Sequence, residues 1–320
     1  MKRLSAIAGA ILVSAAVQSV AADFPTRDIE FIVAYPAGGP ADAAARALQP
    51  LMSAALKQPV VVLNRSGSGG IVGSDYAARA KPDGHSIYVA TNSPLTINPH
   101  LKKQLTYGMA DFVSLGSYAV DLGAITIRNV VPAKTLEEFV DHARKNPGKL
   151  SYGSAGHGTV SFFAMELFKL SYGLDILHVP FQGTGPVKTA LLGNHVQVSA
   201  SGFGAMAPLI KSGDLIALAT TSPTRVAAFP NVPTMAEKGF PDASLNIWMG
   251  LFVPAKTPKP VVDQLSKVLA QVAKEPALGA ALEKVGMALD YRDPAAATAL
   301  LEREYATVGK LVEKLKLPND

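Results

Sequence analysis

The sequence predicts an α/β protein of two lobes around a cleft, and three observations predict it. Buried-strand runs alternate with helical stretches from residue 29 onward, the pattern of parallel strands joined by crossover helices. After a break, the alternation restarts with different content near residue 124. The last helices have no strand partners of their own, so they are expected to pack back on the first lobe.

In the first block, Ile29–Tyr35 reads as a strand ended by Pro36-Ala37-Gly38-Gly39, and Asp42–Leu56 as an Ala-rich helix ending before Pro59. Val60–Leu63 is a strand, Gly67–Gly73 a glycine-rich turn and Ser74–Ala80 a helix stopped by Lys81-Pro82-Asp83-Gly84. Ser86–Ala90 is the third strand. In the second block, Ala124–Ile127 precedes a helix over Thr135–Asn146, where Thr135 and Glu138 form a capping box. Strands at Leu150–Gly153, Leu177–Pro180, Val196–Ala200 and Ile216–Thr220 alternate with helices at Ser161–Tyr172, up to Leu192 and near Ala205–Ser212. Trp248–Val253 is a returning strand, followed by helices at Pro260–Ala273, Pro276–Val285 and Pro294–Leu315. The expected division is 1–22 as a leader, 23–122 with 247–320 as one lobe, and 123–246 as the other.

The leader is read from Lys2 and Arg3, the apolar run Ile7–Val20 ended by the small residues Ala21 and Ala22, and Val20 and Ala22 at the positions a signal peptidase reads. The run is short and rich in Ala, Ser and Gly, which favours a cleaved secretory signal over a membrane anchor. The mature chain is then expected to begin near Asp23, outside the cytoplasm.

A chain of 320 residues with 48% hydrophobic and 17% charged residues is a folded globule with room for two cores. The net charge of +5 is diffuse, without the basic cluster of a nucleic-acid binder, and gives mild steering of anionic solutes. Cysteine is absent, which excludes disulfides, thiolate nucleophiles and Cys-based metal sites.

Four strand-to-helix turns are built of small residues: Pro36–Asp42, Thr91–Ser93, Ser154–Ser161 and Gly183–Gly185. In open α/β sheets ligands bind at the carboxyl ends of strands. A helix start there offers unpaired N–H groups and a positive dipole end, and small residues let an anion approach. The candidate ligand contacts are therefore Ala37, Gly38, Gly39, Thr91, Ser93, Ser154, Ala155, Gly158, Thr159 and Gly183. Asp42 is either a helix cap or a ligand contact, with Arg46 one turn on. His157 lies inside a glycine loop, and Tyr35 and Phe181 flank glycine turns as pocket walls or core aromatics. Thr184 and Phe203 complete the candidate set.

Enzyme signatures are missing. Tyr152 stands where a nucleophile elbow at Ser154 needs glycine, and Val72 where a dinucleotide fingerprint needs its third glycine. There is no phosphate loop and no zinc-protease histidine pair. No cofactor or metal is implied. A secreted hydrolase using Ser154 and His157, and a ligand-sensing partner of a signalling system, stay open as alternatives.

Nearly the whole mature chain resembles the Bug (TctC-like) substrate-binding receptors of tripartite tricarboxylate transporters. The resemblance is carried by Pro36-Ala37-Gly38-Gly39 with Asp42 and Arg46, Asn64-Arg65 with Gly67-Ser68-Gly69-Gly70, Lys81-Pro82-Asp83-Gly84 and Asn98-Pro99. It continues through Asn146-Pro147-Gly148-Lys149, Tyr152-Gly153-Ser154 with Gly158-Thr159, His178-Val179-Pro180-Phe181, Pro230-Asn231-Val232-Pro233-Thr234 and Trp248. It implies a Venus-flytrap, periplasmic-binding-protein fold whose loops 37–39 and 154–159 hold a ligand carboxylate. It also implies a small mono- or dicarboxylate ligand, membrane permease subunits as partners, a monomer, and no nucleic acid. Ala34, Phe162 and Phe181 depart from the residues common in the family, and are read as a more apolar wall that suits an aromatic carboxylate.

Overall fold

The computed structural model describes residues 24–240 and 246–316. The expected secretory leader at 1–22 and Asp23 lie outside the described residues.

The first lobe is a six-stranded sheet. Its strands are β1 (Ile29–Val33), β2 (Val60–Asn64), β3 (Ser86–Thr91), β4 (Phe112–Asp121), β10 (Ile247–Pro254) and β11 (Ala288–Arg292), in the order β11-β4-β10-β3-β1-β2. β1 pairs in parallel with β2 and β3, joined by α1 (Pro40–Leu56) and α2 (Ile71–Ala78). The second lobe is a five-stranded sheet of β5 (Gly123–Arg128), β6 (Ser151–Ser154), β7 (Leu177–Pro180), β8 (Val198–Gly202) and β9 (Leu215–Thr220), in the order β7-β6-β8-β5-β9. Its helices are α4 (Leu136–Lys145), α5 (Val160–Tyr172), α6 (Thr184–Leu192) and α7 (Phe203–Lys211).

Neither sheet is the purely parallel one that the alternation suggests. β4 carries the chain out to the second sheet and β10 carries it back alongside, so this pair runs antiparallel. β5, entering from β4, is antiparallel to both β8 and β9. The sequence reading passes over β4, because Gly116 and three Ser and Asp positions interrupt its apolar run. It also passes over the π turn Ser93–Ile97 that leads into α3 (Asn98–Leu101), where Pro94 and Pro99 look like breakers but occupy first-turn positions.

Apolar burial explains where the late helices go. Leu265, Leu269, Leu278 and Leu282 of α8 (Lys259–Val272) and α9 (Pro276–Lys284) join Phe31, Val33, Leu48 and Met52 in the first core. Full burial of such a side chain contributes roughly 1.5–3 kcal/mol. The last helix, α10 (Pro294–Leu315), departs from the expected packing on the first lobe alone. Leu301 packs with Tyr88 and Phe112 of the first lobe, while Val308, Leu311 and Val312 join the core of Phe139, Phe163 and Phe168. Its 22 residues span about 33 Å at 1.5 Å per residue, enough to bridge both lobes. Among the described residues no helix is long and apolar enough to cross a membrane.

Helix starts follow local chemistry. Thr135 accepts the Glu138 amide at 3.2 Å as expected, but the Glu138 carboxylate reaches Lys134 N at 2.6 Å rather than the cap residue itself. α1 begins at Pro40, with Gly39 as N-cap, two residues before the expected start.

Candidate functional site

Between the lobes lies a cavity with about 620 Å³ of atom-free space, part of it open to solvent. The first turns of three helices reach it: Pro40 and Ala41 of α1, Val160 and Ser161 of α5, and Thr184, Gly185 and Pro186 of α6. Their N-caps are Gly39, Thr159 and Gly183. The helices run for 17, 13 and 9 residues, so each presents a full N-terminal dipole. Among the described residues that line the cavity, none carries a charged side chain. Its polar groups are backbone amides, the hydroxyls of Tyr35, Thr91, Ser93, Thr159, Ser161, Thr184 and Ser201, and the Gln182 amide.

The hydroxyls are held in place by their neighbours. Thr91 Oγ1 donates to Tyr35 Oη at 3.1 Å, and Tyr35 Oη donates to Gly69 O at 3.3 Å. Burial pushes the Tyr35 phenol above its ordinary range despite hydrogen bonds from Thr91 and Ser93 that pull the other way. Thr159 Oγ1 donates to Gly156 O at 2.6 Å, and Ser161 Oγ accepts the Ala155 amide at 2.9 Å. Ser93 Oγ accepts the Val160 amide at 3.0 Å, a buried bond that joins the lobes.

Nine of the expected contacts line this cavity: Tyr35, Ala37, Gly39, Thr91, Ser93, Ala155, Thr159, Gly183 and Thr184. The others have different surroundings. Asp42 is 3% exposed and turned back into its own loop. It accepts Gly38 N at 2.9 Å, Arg46 Nε at 3.0 Å and Asn64 Nδ2 at 3.0 Å. Burial alone would raise its carboxyl, but those hydrogen bonds outweigh it and hold the group below the usual carboxylate range. Asp42 therefore shapes the Gly38 turn rather than facing the cavity, and Gly38 spends its amide on that bond. Ser154 is fully buried, with Oγ 2.7 Å from His178 Nε2. The partner of Ser154 is thus His178 and not His157, whose ring lies against Phe162 at 4.4 Å. Gly158 faces Asn98. Phe181 packs with Val179 and Val187, and Phe203 stacks on Phe229 at 4.8 Å. Ala34 and Phe162 are core residues that do not line the cavity. With Phe181 also off the lining, the three departures from the family pattern give no wall for an aromatic ligand.

Of the other lining residues, Pro36, Pro40, Ala41, Val160, Ser161 and Gly185 lie within the turns marked in the sequence but were not singled out as contacts, and Gln182, Pro186, Ser201 and Ile247 were missed. Most sit one or two positions from an expected contact, within the same helix start. Ser201 and Ile247 carry no such signal, because they reach the cavity from the ends of β8 and the start of β10.

A two-lobed α/β fold with a helix-lined, uncharged cleft between its sheets is the architecture of the solute-binding proteins. The family model described as "Tripartite tricarboxylate transporter family receptor" matches residues 44–317, and the chain belongs to that family. Its members are solute-binding receptors and not enzymes. The protein BugT of Bordetella pertussis is 31% identical over 282 residues, 87% of this chain and 86% of that protein. The structure of the periplasmic binding protein BugD matches with a TM-score of 0.87 at 31% identity, covering 93% of this chain and 100% of that one. An R. palustris protein solved with adipate gives 0.88 at 26% identity, covering 92% and 99%. MatC from Rhodopseudomonas palustris with bound malate gives 0.85 at 28% identity, covering 90% and 100%.

Proposed function

We propose that this receptor captures a small carboxylate in the inter-lobe cavity and delivers it to the membrane permease subunits of a tripartite transporter. The observation that carries the reading is the convergence of the α1, α5 and α6 starts on a cavity lined without charged side chains. An anion there is stabilised by backbone amides and helix dipoles rather than by an arginine. The relatives bound to adipate and malate support an aliphatic acid as the first candidate. In this reading residues 1–22 are a signal peptide, the mature protein works in the periplasm as a monomer, and 23–122 with 247–320 moves against 123–246. Loops 37–39 and 154–159 close on the carboxylate from either side.

Thermal unfolding against a panel of mono- and dicarboxylates, with adipate and malate included, tests it. The expected result is saturable stabilisation at one acid per chain, following simple linkage. No shift with any acid, or consumption of the acid, overturns the proposal.

A further inference from the structure

We infer that Asn98 is the first-lobe stop for capture, against which the glycine loop 156–159 seats, from outside the cavity that Thr159 lines, when the lobes meet. The inference extends the receptor reading above, and its test is read on the empty protein, so the two fail separately.

Asn98 opens α3 in the first lobe and is 0% exposed. Its Nδ2 donates to Gly69 O at 3.2 Å. That bond fixes the plane of the carboxamide and turns Oδ1 toward the second lobe. There Oδ1 is buried without a hydrogen-bond partner among the described residues and occupies the space a methyl group on Gly158 would need. A buried carbonyl with no donor carries a desolvation cost, so its placement calls for a reason. Here it marks the point at which the two lobes come into register.

The neighbours form one contact with it. A methyl on Gly69 would stand 2.5 Å from His157 O, so this first-lobe turn also meets the second-lobe loop backbone to backbone. Gly69 and Gly158 have φ of +63° and +78°, a region that side chains disfavour. Beside them the Ser93 hydroxyl takes the Val160 amide. Neither Asn98, Gly69 nor Gly158 lines the cavity, whereas Thr159 and Val160, the next residues of the loop, do. Any side chain at 158 would stop closure short and leave Thr159 displaced from the cavity. The Asn98-Pro99 and Gly67–Gly70 motifs, which the cavity does not use, gain a role in this contact.

The chain has no cysteine, so Val61→Cys and Leu192→Cys, at exposed positions on opposite lobes, accept a dye pair specifically. Single-molecule energy transfer on the ligand-free protein then counts closed molecules, and is repeated with adipate as probe. Gly158→Ala should reduce the closed fraction by roughly tenfold or more, the size of an overpacking effect. Adding Asn98→Ala, which clears the space, should recover most of that loss. Gly173→Ala, at a left-handed position with φ of +63° and open surroundings, controls for backbone strain and should leave the closed fraction unchanged. The unfolding midpoint of the ligand-free protein should respond alike to Gly158→Ala and Gly173→Ala. Failure of Asn98→Ala to rescue Gly158→Ala overturns the inference, and so does a parent that never closes or a Gly173→Ala effect of equal size.

Discussion

The Asp121 carboxyl, fully buried at the end of β4, receives the Gly204 amide at 3.4 Å across the point where the chain passes between lobes. Its other oxygen has no hydrogen-bond partner among the described residues and lies against Gly202, where any side chain would collide with it. Burial raises this carboxyl to about 7 from an ordinary 3.8, with the Gly204 amide opposing the rise and no charged side chain contributing. The native state thus holds a proton that the unfolded chain releases. Stability from this group falls as pH rises between those two values and is flat above. Asp121→Asn keeps the shape and removes the ionisation cost. Urea unfolding should show the variant equal to the parent near pH ~4 and more stable by about 1–3 kcal/mol at pH ~8. A difference that does not grow with pH contradicts the assignment.

His178 has the opposite sign. Burial lowers its imidazole to about 4 from an ordinary 6.5, with Glu166 opposing and His157 and Lys169 assisting. The unfolded chain takes up a proton that the native state refuses, so this contribution to stability is lost as pH falls from 6.5 through 4. In the parent the Asp121 and His178 slopes offset one another over much of the same window. Asp121→Asn should expose a stability that climbs with pH, and His178→Gln one that declines. Unfolding free energies of both variants between pH ~4 and ~7 check the pair.

The Ser154–His178 contact superficially suits nucleophilic chemistry, but the hydroxyl is sealed from the cavity and the imidazole stacks on Tyr152 at 4.7 Å. The pair is a structural hydrogen bond under the β6–α5 turn, where Ser154 Oγ also accepts Gly156 N at 3.2 Å. Ser154→Ala should cost about 1–2 kcal/mol by leaving buried donors unmet. Activated-ester assays on parent and variant should show no turnover that Ser154 controls.

How far the sequence disclosed this architecture depends on whether a residue acts within its own turn or across the chain. Pro36–Gly39 and Gly156–Thr159 are local signals: small residues between a strand and a helix start mark a carboxyl-end loop wherever the sheet places it. Asp42 reads in the sequence as a helix cap or a ligand contact, but it sits in the first turn of a helix capped by Gly39, and its grip on Gly38 and Asn64 needed the fold. The turns around Gly39, Thr159 and Gly183 were legible, but which of their neighbours line the cavity was not, because one-residue spacing does not tell which side of a helix start faces a cleft. His178 lies 24 residues from Ser154 and meets it only because β6 and β7 pair in parallel, setting Tyr152 opposite His178. Glu304 is beyond sequence reading altogether, since its partners are 212, 208 and 56 residues away.

Glu304 of α10 accepts Asn92 Nδ2 at 2.7 Å and Thr96 Oγ1 at 2.9 Å on one oxygen, and Trp248 Nε1 at 2.7 Å on the other. Burial raises this carboxyl, and the three donors, Trp248 first, pull it back. Asn92 also donates to Asn246 O at 3.0 Å, so the network ties the returning strand β10 to the Thr91–Ser93 edge of the cavity. Glu304→Gln keeps the shape but supplies only one acceptor oxygen. If that oxygen keeps Asn92 and Thr96, the new amide N–H₂ faces the indole N–H with two donors opposed. The expected loss is about 1–3 kcal/mol of unfolding free energy. Trp248 is the single tryptophan, so its emission reads this site without ambiguity and should move in the variant. An unchanged emission spectrum together with parent-like stability would show that the carboxylate does not hold the strand.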